Sequence, residues 1–308
     1  MKKVGKPTAA FLLAALLLAS CSSEGGSTPV QTPGASSGPA QTAAASPSAA
    51  LPTASTSSAV PSVLPSTSSV PAASGLPSPS PSQEPAGAES PIPIQYQMNS
   101  NYDIKPVDGN ANKKVVLLTF DDGPKEAAMI NTIFDTLDKH QAKAIFFVNG
   151  YRVKEHPELL KLIQERGGII GNHSWDHIVL KKKPYAEVKK QIEDVQKIVK
   201  DVTGETPVFF RPPHGAGGDV GKKVAAENGL LYMTWSNGSL DWTMKEKEAG
   251  KPDKIVKNVT NQLHAGSNIL MHELPWTVEA LDKLLTTLEG KGYSFVDPRS
   301  IKTPAAAN

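Results

Sequence analysis

Between residues 115 and 297 the sequence switches repeatedly between two hydrophobic periods. Seven short apolar runs have strand length: VVLLTF (115–120), AKAIFFVNG (142–150), GIIGN (168–172), PVFFR (207–211), LLYMTWS (230–236), SNILMHE (267–273) and YSFVD (293–297). Six longer stretches between them, 126–140, 157–167, 184–204, 219–229, 251–266 and 278–292, carry apolar residues at helical spacing. The longest of these is punctuated as a helix should be, with Pro184 at its start and Gly204 at its end. Regular strand–helix alternation implies parallel β/α units, because parallel neighbours need a crossover between them. Seven such strands fit a closed or nearly closed barrel better than an open doubly wound sheet. The GAGG at 215–218 lacks the GxGxxG spacing that a dinucleotide-binding sheet would show. The fold class is therefore α/β.

The alternation leaves the first third of the 308 residues unaccounted for. Lys2, Lys3 and Lys6 precede a short apolar run, AAFLLAALLLAS, that stops at Cys21. A basic start and a short apolar core read as a secretory signal, and the core is too short for a comfortable membrane span. LASC (18–21) resembles a bacterial lipobox, whose cysteine is lipidated, and the chain's single cysteine falls at that position. Residues 1–21 are thus expected to be a lipoprotein signal peptide, and the mature protein to be extracytoplasmic and held to the bacterial membrane through Cys21. Residues 22–91 are almost entirely Ser, Pro, Ala, Thr and Gly. Such a composition cannot bury enough apolar surface to offset ordering entropy, so a disordered tether is expected over 22–106. The low-complexity stretch 22–91 alone reaches roughly 45 Å as a flexible coil and at most roughly 220 Å as polyproline II, enough to hold a domain away from a membrane and within a cell wall. The folded domain is expected over 107–300. A net charge of +2 with no basic stripe gives no nucleic-acid footprint.

In a (β/α) barrel the chemistry sits at the C-terminal ends of the strands. Asp121 and Asp122 follow the first strand, His173 and His177 the third, and Arg211 closes the fourth. Asp241 and Trp242 come just after the fifth, and His272 ends the sixth. Five strand ends therefore deliver ionisable groups to one rim. Two imidazoles and a carboxylate are a common ligand set for a catalytic zinc with an open position, and the set also suits cobalt, nickel or iron. Adjacent Asp121 and Asp122 repel unless a cation lies between them or one is protonated; DDGP is good turn chemistry as well. His140, His156 and His264 fall at helix ends or in loops and read as ordinary solvated histidines.

TFDDGP (119–124), HSWDH (173–177), RPPHG (211–215), DW (241–242) and ILMHE (269–273) resemble, in that order, the five motifs of the polysaccharide deacetylases, the NodB-homology or carbohydrate esterase family 4 domain. The resemblance spans roughly 112–298. It implies a deformed (β/α)7 barrel that removes acetyl groups from N-acetylated sugars with one divalent metal, zinc above all. It implies Asp122, His173 and His177 as metal ligands, Asp121 as general base, and Arg211 as the arginine holding that base. His272 matches the general acid and Asp241 the carboxylate orienting it. Trp242 and Leu270 match walls of the acetyl pocket, and the backbone N–H at His214 matches an oxyanion donor.

Three departures bear on substrate preference rather than on activity. His214 stands where the family usually has an aromatic ring, Gly238 where it often has an aspartate, and Glu273 where an aspartate is frequent. The expected substrate is N-acetylglucosamine of peptidoglycan, with chitin oligomers, poly-N-acetylglucosamine and acetylated xylan as alternatives. A catalytically idle glycan-binding wall lipoprotein is the rival from a different class. A haloacid-dehalogenase-like phosphatase would need its two aspartates two positions apart, and here they are adjacent.

Overall fold

The computed structural model describes residues 92–304. The expected signal segment, Cys21 and the tether as far as residue 91 lie outside the described residues. Within them, β3 (Val115–Gly123) is the central strand and is buried along almost its whole length. A near-continuous apolar run is what a parallel strand covered on both faces requires. It pairs in parallel with β4 (Ala144–Val148) on one side and β9 (Ser267–His272) on the other. Beyond β4 follow β5 (Ile169–Asn172), β6 (Phe209–Phe210) and β7 (Leu231–Tyr232); beyond β9 lies β8 (Asn237–Gly238). β10 (Ser294–Phe295) adds in parallel at the start of β3. The ladder order β7-β6-β5-β4-β3-β9-β8 leaves no pairing between its two ends among the described residues. The sheet is thus a curled, incomplete barrel, as the deformed (β/α)7 expectation holds.

The helices α1 (Ala127–Lys139), α3 (Pro157–Glu165), α4 (Tyr185–Thr203), α5 (Gly218–Glu227), α6 (Lys251–Asn261) and α7 (Pro275–Gly290) match the six predicted from apolar spacing. A short additional helix, α2 (Gly150–Glu155), continues directly from β4. Period-2 alternation along β3 sorts its side chains. Val116, Leu118 and Phe120 join the layer with Ile130, Phe134, Leu281 and Leu285 of the surrounding helices. Val115 and Leu117 join Ile145, Phe147, Phe209 and Met233 inside the curl. Thr119 and Asp121 continue that inner column, so Asp121 is brought to the top of the curl by the same alternation that builds the core below it.

Two expectations are revised. Ordered structure begins before the expected boundary at Pro106: β1 (Tyr96–Met98) and β2 (Ile104–Pro106) form an antiparallel hairpin with Tyr96 and Ile104 buried. The Ile104 N–H donates to the Gly266 carbonyl at 2.8 Å. A Cβ at Gly266 would lie 2.1 Å from the Ile104 carbonyl oxygen, and its φ is +87°, so glycine is required there. Two three-residue strands are too short to show a period, which is why the hairpin is invisible in the sequence pattern. The expected strand over 230–236 is instead short: β7 ends at Tyr232, and the next strand, β8, starts at Asn237 on the far end of the sheet. Trp235 lies in the connection between them.

Candidate active site

Arg211 directly follows β6 and is fully buried. An unpaired buried guanidinium would cost several kcal/mol, so each donor must be answered. Nη1 donates to Asp121 Oδ1 and to Thr119 Oγ1, both at 2.7 Å. Nε and Nη2 donate to the Thr234 carbonyl at 3.2 and 2.9 Å, and Nη2 also reaches Asn268 Oδ1 at 3.2 Å. The guanidinium carbon lies 4.4 Å from the centroid of the Phe147 ring. Burial lowers the Arg211 pKa and the Asp121 carboxylate opposes this. Asp121, itself only 2% exposed, has one oxygen fixed on Arg211 and the other 3.6 Å from His173 Nε2.

Asp122 is the next residue and turns the other way because its φ is +65°. Positive φ is costly for a residue with a side chain, of order 1–3 kcal/mol, and such costs gather at functional sites. His177, His214 and Leu240 around the same rim share it, with φ of 54°, 57° and 58°. Asp122 Oδ1 lies 3.0 Å from His177 Nε2 and 3.4 Å from His173 Nε2. The three ligand-capable atoms of Asp122, His173 and His177 all fall within 4.8 Å of one another. His173 Nδ1 lies 2.7 Å from the Arg211 carbonyl. A carbonyl can only accept, so Nδ1 carries a proton and Nε2 is the nitrogen turned to the cluster, the one that can serve as a ligand. Asp122 Oδ1 is buried with no well-aligned hydrogen bond. Burial would raise the Asp122 carboxyl, but His173 and His177 outweigh it and hold it well below the usual carboxylate range. A buried, unsatisfied carboxylate oxygen facing two imidazole nitrogens fits a divalent cation, and the donor set is the two-histidine, one-carboxylate type.

His272 ends β9 in register with Asp121 on β3. Its Nδ1 lies 2.8 Å from Asp241 Oδ1, and its backbone N–H donates to Asp241 Oδ2 at 2.7 Å. Asp241 is fully buried; Thr277 Oγ1 donates to its Oδ2 at 2.7 Å and Trp276 Nε1 to its carbonyl at 2.9 Å. Burial alone would depress the His272 pKa; the Asp241 hydrogen bond and charge, with Asp121 and Asp122, carry it above the ordinary value. The free Nε2 lies 4.0 Å from Asp122 Oδ2.

A cavity of about 360 Å³ joins these groups, and its remaining lining is His214, Trp235, Trp242 and Leu270. The Trp242 ring lies 5.3 Å from that of His272 and the His214 ring 4.7 Å from that of His177. Every candidate residue expected in the domain is therefore at one place: Asp121, Asp122, His173, His177, Arg211, His214, Asp241, Trp242, Leu270 and His272. Cys21 lies outside the described residues. Trp235 was not singled out by the sequence, although its closeness to DW in the chain is a signal that could have found it. Thr119 opens the TFDDGP motif but carried no expected role, and Asn268 and Thr277, which help hold Arg211 and Asp241, lie outside the five motifs. Glu273 is a further buried group behind the site: its Oε2 accepts the Lys125 N–H at 2.9 Å, and burial pushes its carboxyl up to about 7 against the opposing effect of Lys125.

A family profile described as polysaccharide deacetylase matches residues 108–233. The peptidoglycan-N-acetylglucosamine deacetylase PgdA of Listeria monocytogenes is 41% identical over 198 residues, 64% of this chain and 41% of that protein. The chain thus spans less than half the length of that relative. A peptidoglycan-N-acetylglucosamine deacetylase of Bacillus cereus is 36% identical over 193 residues, 61% of this chain and 68% of that protein. A Bacillus anthracis protein described as a CE4 family pseudoenzyme superposes with a TM-score of 0.56 at 30% identity, over 67% of each chain.

Proposed function

The chain belongs to the polysaccharide deacetylase family, and from that premise we propose that it is a metal-dependent deacetylase acting on the N-acetylglucosamine of peptidoglycan. One observation carries the reading: a carboxylate fixed by Arg211 and an imidazole fixed by Asp241 are register neighbours on β3 and β9, beside the Asp122–His173–His177 cluster. Cleaving an acetamide requires a proton to leave the attacking water and another to reach a poor leaving group. Asp121 is the acceptor for the first, since Arg211 occupies Oδ1 and leaves Oδ2 on the cavity side. His272 is the donor for the second. With Nδ1–H held by Asp241, only Nε2 faces the cavity, and the raised pKa keeps it protonated over a wider pH range. Trp242, Trp235 and Leu270 give the acetyl methyl an apolar wall. The His214 backbone, turned to φ +57° on a 3₁₀ turn, is the proposed oxyanion donor. Asp122, His173 and His177 would hold a divalent cation, zinc by the donor set, which when bound supplies Lewis acidity toward water and the acetamide carbonyl.

Peptidoglycan is favoured because the two curated relatives named above are described as acting on it and because the expected tether suits a wall substrate. We propose that the mature chain is extracytoplasmic and lipid-anchored at Cys21. The description of the Bacillus anthracis relative as a pseudoenzyme favours weighing a second reading, glycan binding without turnover. Incubation with N-acetylated wall glycan separates the two. Acetate release that depends on added zinc or cobalt and is lost in His272→Ala is expected. Binding with no acetate above the metal-free control rejects the deacetylase reading.

A further inference from the structure

β8 is two residues long, and one of them is a buried glycine whose φ is not left-handed. Conformational freedom is therefore not what calls for glycine at 238. Its backbone is pinned on both sides: the N–H donates to Gln262 Oε1 at 3.2 Å and the carbonyl accepts from Gln262 Nε2 at 2.9 Å. Gly238 is in register with Leu270 on β9, and the following N–H, of Ser239, donates to the Leu270 carbonyl at 3.1 Å. The backbone cannot retreat, so anything added here must go toward the side-chain neighbours.

Those neighbours are the cavity wall. A Cβ on Gly238 would lie 3.4 Å from Trp242 Cη2, 3.7 Å from Leu240 Cδ2 and 3.7 Å from Trp235 Nε1. These are ordinary van der Waals contacts, so one carbon fits. A second atom extends from that carbon toward Trp242, Leu240 and Trp235, so a larger side chain presses on them, and the half-exposed Trp242 and Leu240 can shift to make room. Trp235 and Trp242 meet edge-on over this point, with ring centroids 6.2 Å apart at 66°. Together with Leu270 they are the apolar part of the cavity beside His272.

We propose that Gly238 determines the length of the N-acyl group that the site accepts, by letting both indoles close over a floor with no side chain. The inference rests on the proposed deacylation. The ligand class is an N-acylated aminosugar glycan, with the acyl chain ending against Trp235 and Trp242.

The test measures kcat/KM for Gly238→Ala, Gly238→Ser and Gly238→Val on chito-oligosaccharides carrying N-formyl, N-acetyl or N-propionyl groups. One methylene in an apolar pocket is worth about 10- to 200-fold in discrimination. The propionyl-to-formyl ratio is expected to move from that of the unsubstituted protein in the order Ala, Ser, Val, by about tenfold or more in Val. Serine, with a single added oxygen, keeps the test open if valine prevents folding, which near-UV circular dichroism and metal content report. A uniform change across the three substrates in Ser and Val, with the ratio unmoved, overturns the proposal. Failure of the unsubstituted protein to release any of the three acyl groups overturns instead the deacylase reading on which it rests.

Discussion

Asp241→Asn isolates the role of the carboxylate behind His272 with almost no change of shape. Asp241 accepts three hydrogen bonds on its side chain, from His272 Nδ1 at 2.8 Å, the His272 backbone N–H at 2.7 Å and Thr277 Oγ1 at 2.7 Å. An amide has one accepting oxygen and one NH2 group. With the oxygen kept on the backbone N–H and Thr277, the NH2 faces His272 Nδ1, which must then give up its proton to accept. The charge that carries His272 above its ordinary pKa is lost at the same time, leaving burial, which lowers it, to dominate. A buried charge-assisted hydrogen bond is worth about 1.5–3 kcal/mol, or about 10- to 150-fold in the ratio of protonated to neutral imidazole at fixed pH. A raised pKa extends the protonated form toward alkaline pH, so removing its cause must move the alkaline limb of kcat/KM to lower pH. Above that limb the activity falls by about the same factor. Metal content stays near that of the unsubstituted protein, because Asp241 is not one of the three clustered groups. The assay is acetate release from N-acetylated oligosaccharide across pH, with metal analysis on the same preparations. An alkaline limb that stays in place, in a variant that is folded and metal-loaded, refutes the assignment of His272 as the acid oriented by Asp241.

Three further outcomes are expected. His177→Ala removes one of the three donors, so zinc affinity measured by calorimetry drops by more than the about 10- to 100-fold typical of an outer-shell change; affinity within that range argues against the cluster as the metal centre. Glu273, raised from 4.5 to about 7 by burial, binds its proton more tightly when folded, so its contribution to stability is present below pH 4.5 and is lost as pH rises through 7. Glu273→Gln removes that loss, at most about 3 kcal/mol, and urea unfolding of metal-free protein at acid and neutral pH shows a flatter profile; an unchanged slope assigns the titration elsewhere. Gly123→Ala places a Cβ 2.0 Å from Glu273 Oε1, and overpacking costs about 1–3 kcal/mol. Combining it with Glu273→Ala relieves that strain, so a double-mutant cycle gives non-additive stabilities; strict additivity shows that the clash is not what Gly123 avoids.

The α/β architecture and the rim were legible in the chain alone for one reason. Strand alternation has period two and parallel units all end on the same side, so residues just past each apolar run meet without any knowledge of packing. Asp121, Asp122, His173, His177, Arg211, Asp241 and His272 are all of that kind. Tertiary structure alone decided the rest, because the rest depends on partners far apart in sequence. Arg211 is answered by Thr119 and Asp121, 92 and 90 residues earlier, and no local period records that pairing. The hairpin at Tyr96–Pro106 exists because Gly266 and Ile301 cover it, not because of its own propensity. The connection between β7 and β8 that places Trp235 beside Gly238, and the register that puts Leu270 beside them, follow from how the curl fails to close. Periodicity places a side chain on a face; the packing of distant segments decides what it touches there, and what it touches sets its charge, its orientation and the shape of the cavity it lines.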